Sequence, residues 1–223
     1  MEVAGRTLLE ITLSRLKSFG ISEVVINVHY LADMIVEYLK ANQSFGLSIE
    51  VSREEVLLDT GGGLKKASWF LFGNDSDEPF ILHNVDVIST IDLKEMAQFH
   101  SAHGALATLA VQERKSSRYL LFDEQLQLCG REFSKDQKKE IARPSQQVQA
   151  LAFSGVHIIS PRLFPLMIEE GVFSIISSYL RLASQNEKVL AFRADEYYWK
   201  DLGRAEDLAQ ATRDIKGQAV LPS

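Results

Sequence analysis

Residues 20–40 read GISEVVINVHYLADMIVEYLK. A glycine gives way to six residues rich in β-branched apolar side chains, and these give way to a pattern of helical period. Leu8, Leu9, Ile11, Leu13 and Leu16 lie upstream at helical spacing, so Gly20 predicts the end of a first helix. EVVINV (23–28) is a near-continuous apolar run and reads as a buried parallel strand. Met34, Ile35, Tyr38 and Leu39 form the apolar face of a second helix, over roughly 32–40. Helix, strand and helix in close succession predict a doubly wound α/β sheet.

The same alternation continues outward. Leu47 to Val51 alternates like a strand, and LDTGGGLKKA (58–67) leads three glycines into an amphipathic helix. PFILHNVDVI (79–88) predicts a central strand running into a loop. Asp92 resembles an N-cap for a helix that ends at Gly104, and ALATLAVQ (105–112) is another buried strand. Asp75, Asp77 and Glu78 read as a solvated loop. After Glu113 the character changes. RYLLFDEQLQLCGRE predicts a hairpin turning at Asp123 and Glu124, and KDQKKEIARPSQQ a polar surface loop. QALAFSGVHIIS (149–160) is a long strand with Gly155 inside it. A short helical segment from Pro161, a longer helix in VFSIISSYLRLASQ, a strand in KVLAFRA, a short strand or turn in YYWKD and a closing helix from Arg204 complete the chain. No repeat, low-complexity tract or linker interrupts it. The expected organisation is one domain over 1–223: a doubly wound, mostly parallel sheet with helices on both faces and a small antiparallel appendage.

Bulk properties narrow the function. Net charge is −6, so a broad nucleic-acid surface is excluded and any phosphate site is local. The single cysteine, Cys129, excludes an intrachain disulfide and any multi-cysteine metal site, and fits a reducing cytoplasm. No apolar run reaches the length of a membrane span, and MEVAGRTLLEIT has neither the basic nor the apolar region of a signal peptide.

Three places carry chemistry. The triad Gly61, Gly62 and Gly63 gives backbone room for close approach of a ligand, and a helix N-terminus adds partial positive charge. Thr60 supplies a hydroxyl donor or a cap. The competing reading is a tight turn with close packing. Asp86 falls at the C-terminal end of a predicted buried strand, where open α/β sheets bind ligands. It suits a metal–phosphate complex, or else serves as a turn aspartate. Asp201, in YYWKDLG, is weak alone and gains meaning only if it meets Asp86 in space, since Mg²⁺ sites commonly combine carboxylates with substrate phosphates and waters. The five histidines have no carboxylate neighbours at zinc spacing, and Cys129 has no visible activating partner.

Taken in order, VAGRTLLEITLSRLKSFGISEVVINVHYLADMIVEYL, LDTGGGLKKA, LHNVDV, AFSGVHIISPRLF and YWKDLGRAEDLAQA resemble the sugar-1-phosphate nucleotidyltransferases, and among them the compact bacterial type. The resemblance covers nearly the whole chain. It implies a Rossmann-like sheet and transfer of NMP from an NTP, UTP or GTP, to a sugar 1-phosphate with loss of pyrophosphate. It further implies that Thr60 and Gly61 to Gly63 border the nucleotide, that Asn84 lies beside it, that Gly155 leaves space for the sugar, and that Asp86 and Asp201 hold Mg²⁺. The family opens with a strand and a G-x-G-[TE]-R-[LM] loop followed by P-K-P. MEVAGRTLLE matches the family just after that segment, and Val85 stands where the family usually has glycine. The expectation is a chain short of the first central strand and of the arginine and lysine that grip the triphosphate, with exposed sheet edges and impaired activity. Two rivals are a metal-dependent glycosyltransferase, disfavoured because NVDV has one aspartate rather than D-x-D, and a non-catalytic nucleotide or sugar-nucleotide binder.

Overall fold

The computed structural model describes residues 1–72, 77–203 and 205–217. Asp75 and Arg204 of the sequence reading lie outside these, and Asp77 and Glu78 are exposed. In chain order the elements are β1 (Glu2–Val3), β2 (Arg6–Thr7), α1 (Leu8–Ser18), β3 (Glu23–Val28), α2 (Ala32–Ala41), β4 (Ser48–Arg53), α3 (Asp59–Lys66), α4 (Ser68–Phe72), β5 (Phe80–His83), β6 (Val87–Ser89) and α5 (Leu93–His103). There follow β7 (Ala107–Gln112), β8 (Arg118–Phe122), β9 (Leu128–Phe133), β10 (Lys138–Ile141), β11 (Gln149–Ile159), α6 (Ile175–Ser184), β12 (Val189–Arg193), β13 (Trp199–Asp201) and α7 (Ala205–Gly217).

The central sheet is mixed. β7 and β12 pair in parallel, while β11 runs antiparallel to both β5 and β7, so β5, β7 and β12 share one direction. β11 is long enough to continue past β7 and pair with β8, from which β9 and β10 extend the antiparallel appendage. Alternate residues of β7 enter opposite cores. Leu109 and Val111 join Tyr179 and Leu182 of α6, and Ala110 joins Met96 of α5 and Leu16 of α1. This is the expected two-sided layering, and the caps follow the sequence: Asp92 accepts from the amides of Lys94 and Glu95 to start α5, and Gly104 closes it in the left-handed region.

Two elements differ from expectation. KDQKKEIARPSQQ contains a strand, β10, and is not wholly loop. Its polarity hid the pairing, because the register sets Glu140 opposite Arg131 and Lys139 opposite Glu132, and both pairs are ionic. EVVINV does form a parallel strand with β4, yet only Val28 of it is buried. β5 is likewise partly exposed along its whole length. Among the described residues, β3 pairs only with β4 and β5 only with β11. The two remaining edges border an apolar cleft of about 1390 Å³, and this opening keeps an otherwise core-like sequence from burial.

Candidate active site

The two aspartates meet. Asp86 lies in the loop between β5 and β6, and Asp201 ends β13. β6 and β13 are antiparallel partners with Asp201 opposite Val87, and the Leu202 amide donates to the Asp86 carbonyl at 2.8 Å. Both carboxylates line a small open cleft of about 480 Å³, together with Arg114, Trp199, Lys200 and Asp207. Burial first, and the Asp201 charge second, push the Asp86 carboxyl above its ordinary range. Two carboxylates in mutual repulsion favour a cation between them. Lys200 is already committed to Asp207 at 3.1 Å.

Arg114 has no precedent in the sequence reading. Its guanidinium carbon lies 3.5 Å from the centroid of the Trp199 ring, a close cation–π stack. Its Nη2 donates to the Phe153 carbonyl at 2.7 Å, and its buried Nε has no hydrogen-bond partner among the described residues. Burial lowers its pKa, and the charge of Asp201 opposes that shift. In sequence Arg114 was one charge within QERK. The available signal was position: it comes two residues after β7 ends at Gln112.

A β-bulge holds these walls in place. Gly155 has φ +74°, and the register of β11 against β7 shifts between Phe153 and His157. Three successive carbonyls of this segment accept hydrogen bonds; two of the donors, Arg114 and Trp199, line the small cleft, while Asn84, the third, is not among the residues lining either cleft. Phe153 O accepts from Arg114, Ser154 O accepts from Trp199 Nε1 at 2.7 Å, and Gly155 O accepts from the Asn84 amide at 3.0 Å. A bulge re-aims backbone groups in this way, and glycine adopts its left-handed residue without penalty. A Cβ at Gly155 would stand 3.0 Å from Val87 Cγ2 and 3.2 Å from Asn84 Nδ2, so its immediate neighbours are protein atoms. Asn84 is anchored on both sides, since its carbonyl accepts from the Val87 amide at 3.2 Å.

The glycine triad is not at the mouth of a helix but within one, in the first turns of α3, and all three residues are buried. The amides of Gly61 and Gly62 both donate to the Phe173 carbonyl, at 2.9 and 3.2 Å. A Cβ at Gly62 would lie 2.3 Å from the Gly171 carbonyl oxygen. These two glycines therefore seat α3 against segment 171–173, the close-packing alternative. Gly63 and Thr60 line the large cleft. The Thr60 hydroxyl accepts from the Ile175 amide at 3.2 Å, so it caps α6 rather than its own helix. Val85, next to Asp86, is exposed and lines the large cleft as well.

A family model described as nucleotidyl transferase matches residues 1–218. The chain belongs to this family. Among curated proteins, a mannose-1-phosphate guanyltransferase from Candida albicans is 29% identical over 214 residues, covering 95% of this chain and 57% of that protein. The Kluyveromyces lactis protein of the same description is 29% identical over 217 residues, with coverage of 95% and 57%. The chain thus spans a little over half the length of the curated relatives it matches. Among solved structures, Yersinia pseudotuberculosis HddC complexed with GMP-PN superposes with TM-score 0.72 at 19% identity, covering 96% of this chain and 88% of that one. A putative glucose-1-phosphate thymidylyltransferase from Bacillus anthracis gives 0.76 at 13% identity, covering 98% and 86%. These two likenesses establish that this nucleotidyl transferase family member shares their fold.

Proposed function

We propose that this chain carries the transfer site of a sugar-1-phosphate nucleotidyltransferase, which moves NMP from an NTP to a sugar 1-phosphate and releases pyrophosphate. The observation that supports this reading is the convergence of Asp86 and Asp201 on one cleft beside Arg114. GTP and mannose 1-phosphate form the first substrate pair, because the matched curated relatives are described as mannose-1-phosphate guanyltransferases; UTP is the second choice of nucleotide.

The donor set fits Mg²⁺, which takes one or two carboxylates and completes its shell with phosphates and water. Asp86 and Asp201 would hold it, and when bound it would neutralise charge developing on the phosphates. The chain's own groups do the rest. Arg114, fixed between the Trp199 ring and the Phe153 carbonyl, presents a pre-oriented cation to the phosphates. Thr60 and Gly63 border the nucleotide from the large cleft, and Gly61 and Gly62 set the height of that shelf by seating α3. Asn84 lies beside the nucleotide, and the Gly155 bulge shapes the sugar side. The sugar phosphate oxygen attacks the α-phosphorus in line while the bond to the pyrophosphate oxygen breaks, so the protein's contribution is positioning and charge neutralisation. We place the protein in the cytoplasm, where the buried free thiol of Cys129 stays reduced.

Residues 1–223 alone are expected to turn over slowly, because the described residues around the two clefts offer Arg114 as a phosphate-facing cation and no glycine-rich phosphate loop. The test is pyrophosphate release from GTP plus mannose 1-phosphate with Mg²⁺. Slow release that disappears in Asp86→Asn and Asp201→Asn supports the proposal. Full family-like turnover would contradict the impairment. Absence of both release and Mg²⁺-dependent nucleotide binding would contradict the transfer reading, and nucleoside diphosphate release from a sugar nucleotide would point to a glycosyltransferase.

A further inference from the structure

We propose that Asp207 is a positioning residue of the small cleft: by holding the Lys200 ammonium, it keeps that charge off Asp86 and leaves the place between Asp86 and Asp201 open to a divalent cation. The inference rests on the reading that those two aspartates share the cation, and it gives a role to a third carboxylate that is not one of the ligands.

Five charged side chains line the cleft: Asp86, Asp201, Asp207, Arg114 and Lys200. Arg114 is fixed between the Trp199 ring and the Phe153 carbonyl. Lys200 is the other cation, a compact ammonium on a flexible four-carbon stem. The register of β13 against β6 sets Lys200 opposite Ile88 and Asp201 opposite Val87. Asp86 comes two residues before Ile88. By the period-two alternation of strands it is the diagonal cross-strand neighbour of Lys200, and a long side chain reaches across such a diagonal. Yet the ammonium does not go there. It pairs with Asp207 at 3.1 Å. Among the described residues, no lysine or arginine forms an ion pair with Asp86. Two carboxylates thus compete for one ammonium, and Asp207 takes it.

The setting of Asp207 explains the outcome. It lies in the first turn of α7, where the helix dipole favours an anion. Asp207, Ala211 and Asp214 recur at i, i+4 and i+7 and so share one helix face. Ala211 packs in a cluster with Ile88 and Leu202, and Leu208 and Tyr198 pack against it. Asp214 accepts from the Tyr198 hydroxyl at 2.9 Å. Tyr198 and Lys200 are therefore both clipped to α7, while Trp199 between them donates to the Ser154 carbonyl of β11. The Asp214 carboxyl is held below its ordinary range, first by hydrogen bonds from Gln210 and Tyr198 and in smaller part by the Lys200 charge, which agrees with an ammonium facing α7. Without the Asp207 charge, the carboxylates left in the cleft are Asp86 and Asp201. An ammonium drawn to them would offset the repulsion that favours a divalent ion and stand in that ion's place.

The experiment compares residues 1–223 with Asp207→Asn and with Asp207→Asn/Lys200→Met, using Mn²⁺ affinity in the presence of GTP, melting curves to check folding, and an ion-free crystal structure of Asp207→Asn. Asp207→Asn is expected to weaken Mn²⁺ by about tenfold, and adding Lys200→Met to bring the affinity back to within about threefold of the wild type. The loss should persist in about 1 M KCl, where the Debye length is roughly 3 Å, because it comes from contact. In the ion-free structure the Lys200 ammonium should lie against the Asp86 carboxylate. Undiminished binding by Asp207→Asn would overturn the proposal. So would a loss that Lys200→Met does not restore, which would mean that Asp207 acts on the ion directly, or a loss that vanishes in high salt, which would mean a remote field. If the wild type bound no Mn²⁺, the shared-cation reading would fail; the ion-free structure would still decide this proposal, since an ammonium pointing away from Asp86 overturns it. The two failures are therefore separable.

Discussion

Asp86 is a residue whose stability and function pull in opposite directions. Its carboxyl is held above the ordinary range by burial and by Asp201. The unfolded chain therefore releases this proton at lower pH than the folded one, and stability falls as pH rises through that interval, remaining lower above it. Asp86→Asn is expected to raise the melting temperature at pH 7 while weakening divalent-ion binding by about tenfold or more, and a parallel calorimetric titration checks both effects. In the wild type, cation binding should fade as pH drops through the raised pKa. Arg114 gives a second prediction. Arg114→Ala should lower pyrophosphate release by about a hundredfold, the order seen when one preorganised charge-stabilising donor is lost. Arg114→Lys should recover little of it, since an ammonium cannot stack flat on Trp199 and reach Phe153 together. Steady-state assays with melting curves check that both variants fold. Asp86 and Asp201 were legible in the sequence because strand ends and short motifs mark them. Arg114 was not, because its importance comes from a ring and a carbonyl far along the chain.

At the scale of elements, α3 shows where sequence logic reversed. Glycine inside a helix normally costs about 1 kcal/mol relative to alanine. At Gly62 the added methyl group would meet the Gly171 carbonyl at 2.3 Å. Gly62→Ala is therefore expected to destabilise the protein by about 2 kcal/mol, as overpacking does, and urea denaturation supplies the value. A stabilising result would show that segment 171–173 yields easily. Strand–helix alternation from Leu8 to Gln112 was readable because apolar residues recur there in strand-like runs and at helical spacing, whether or not each one is buried. β10 was not, because cross-strand ion pairs hold an exposed edge without any apolar signal. The bulge at Gly155 was visible only as a glycine in a strand; the register slip that aims the Phe153 and Ser154 carbonyls at Arg114 and Trp199 is a property of pairing.

For the whole molecule, the separation of the β3–β4 pair from the central sheet by the large cleft needed coordinates, because the period of a sequence does not say which strands pair. The interior also sets a pH limit. His157 and His100 are buried and kept neutral, pushed down to about 3 and about 4, in each case mainly by burial. His83, on the cleft, is lowered to about 4, again mainly by burial and then by Arg15. These groups take up protons near pH 6.5 only when unfolded, so stability is complete above that value and is lost as pH falls toward 4. The slope for each buried histidine is at most about 1.4 kcal/mol per pH unit. Urea midpoints at pH 7 and pH 5 measure it, and His157→Gln should flatten the dependence. The claim on which the functional account rests is that Asp86 and Asp201 share one divalent cation, and the direct measurement is Mn²⁺ binding by electron paramagnetic resonance in the presence of GTP. One bound ion per chain in the wild type, lost in both Asp86→Asn and Asp201→Asn, is the expected result; undiminished binding in the double variant would contradict it.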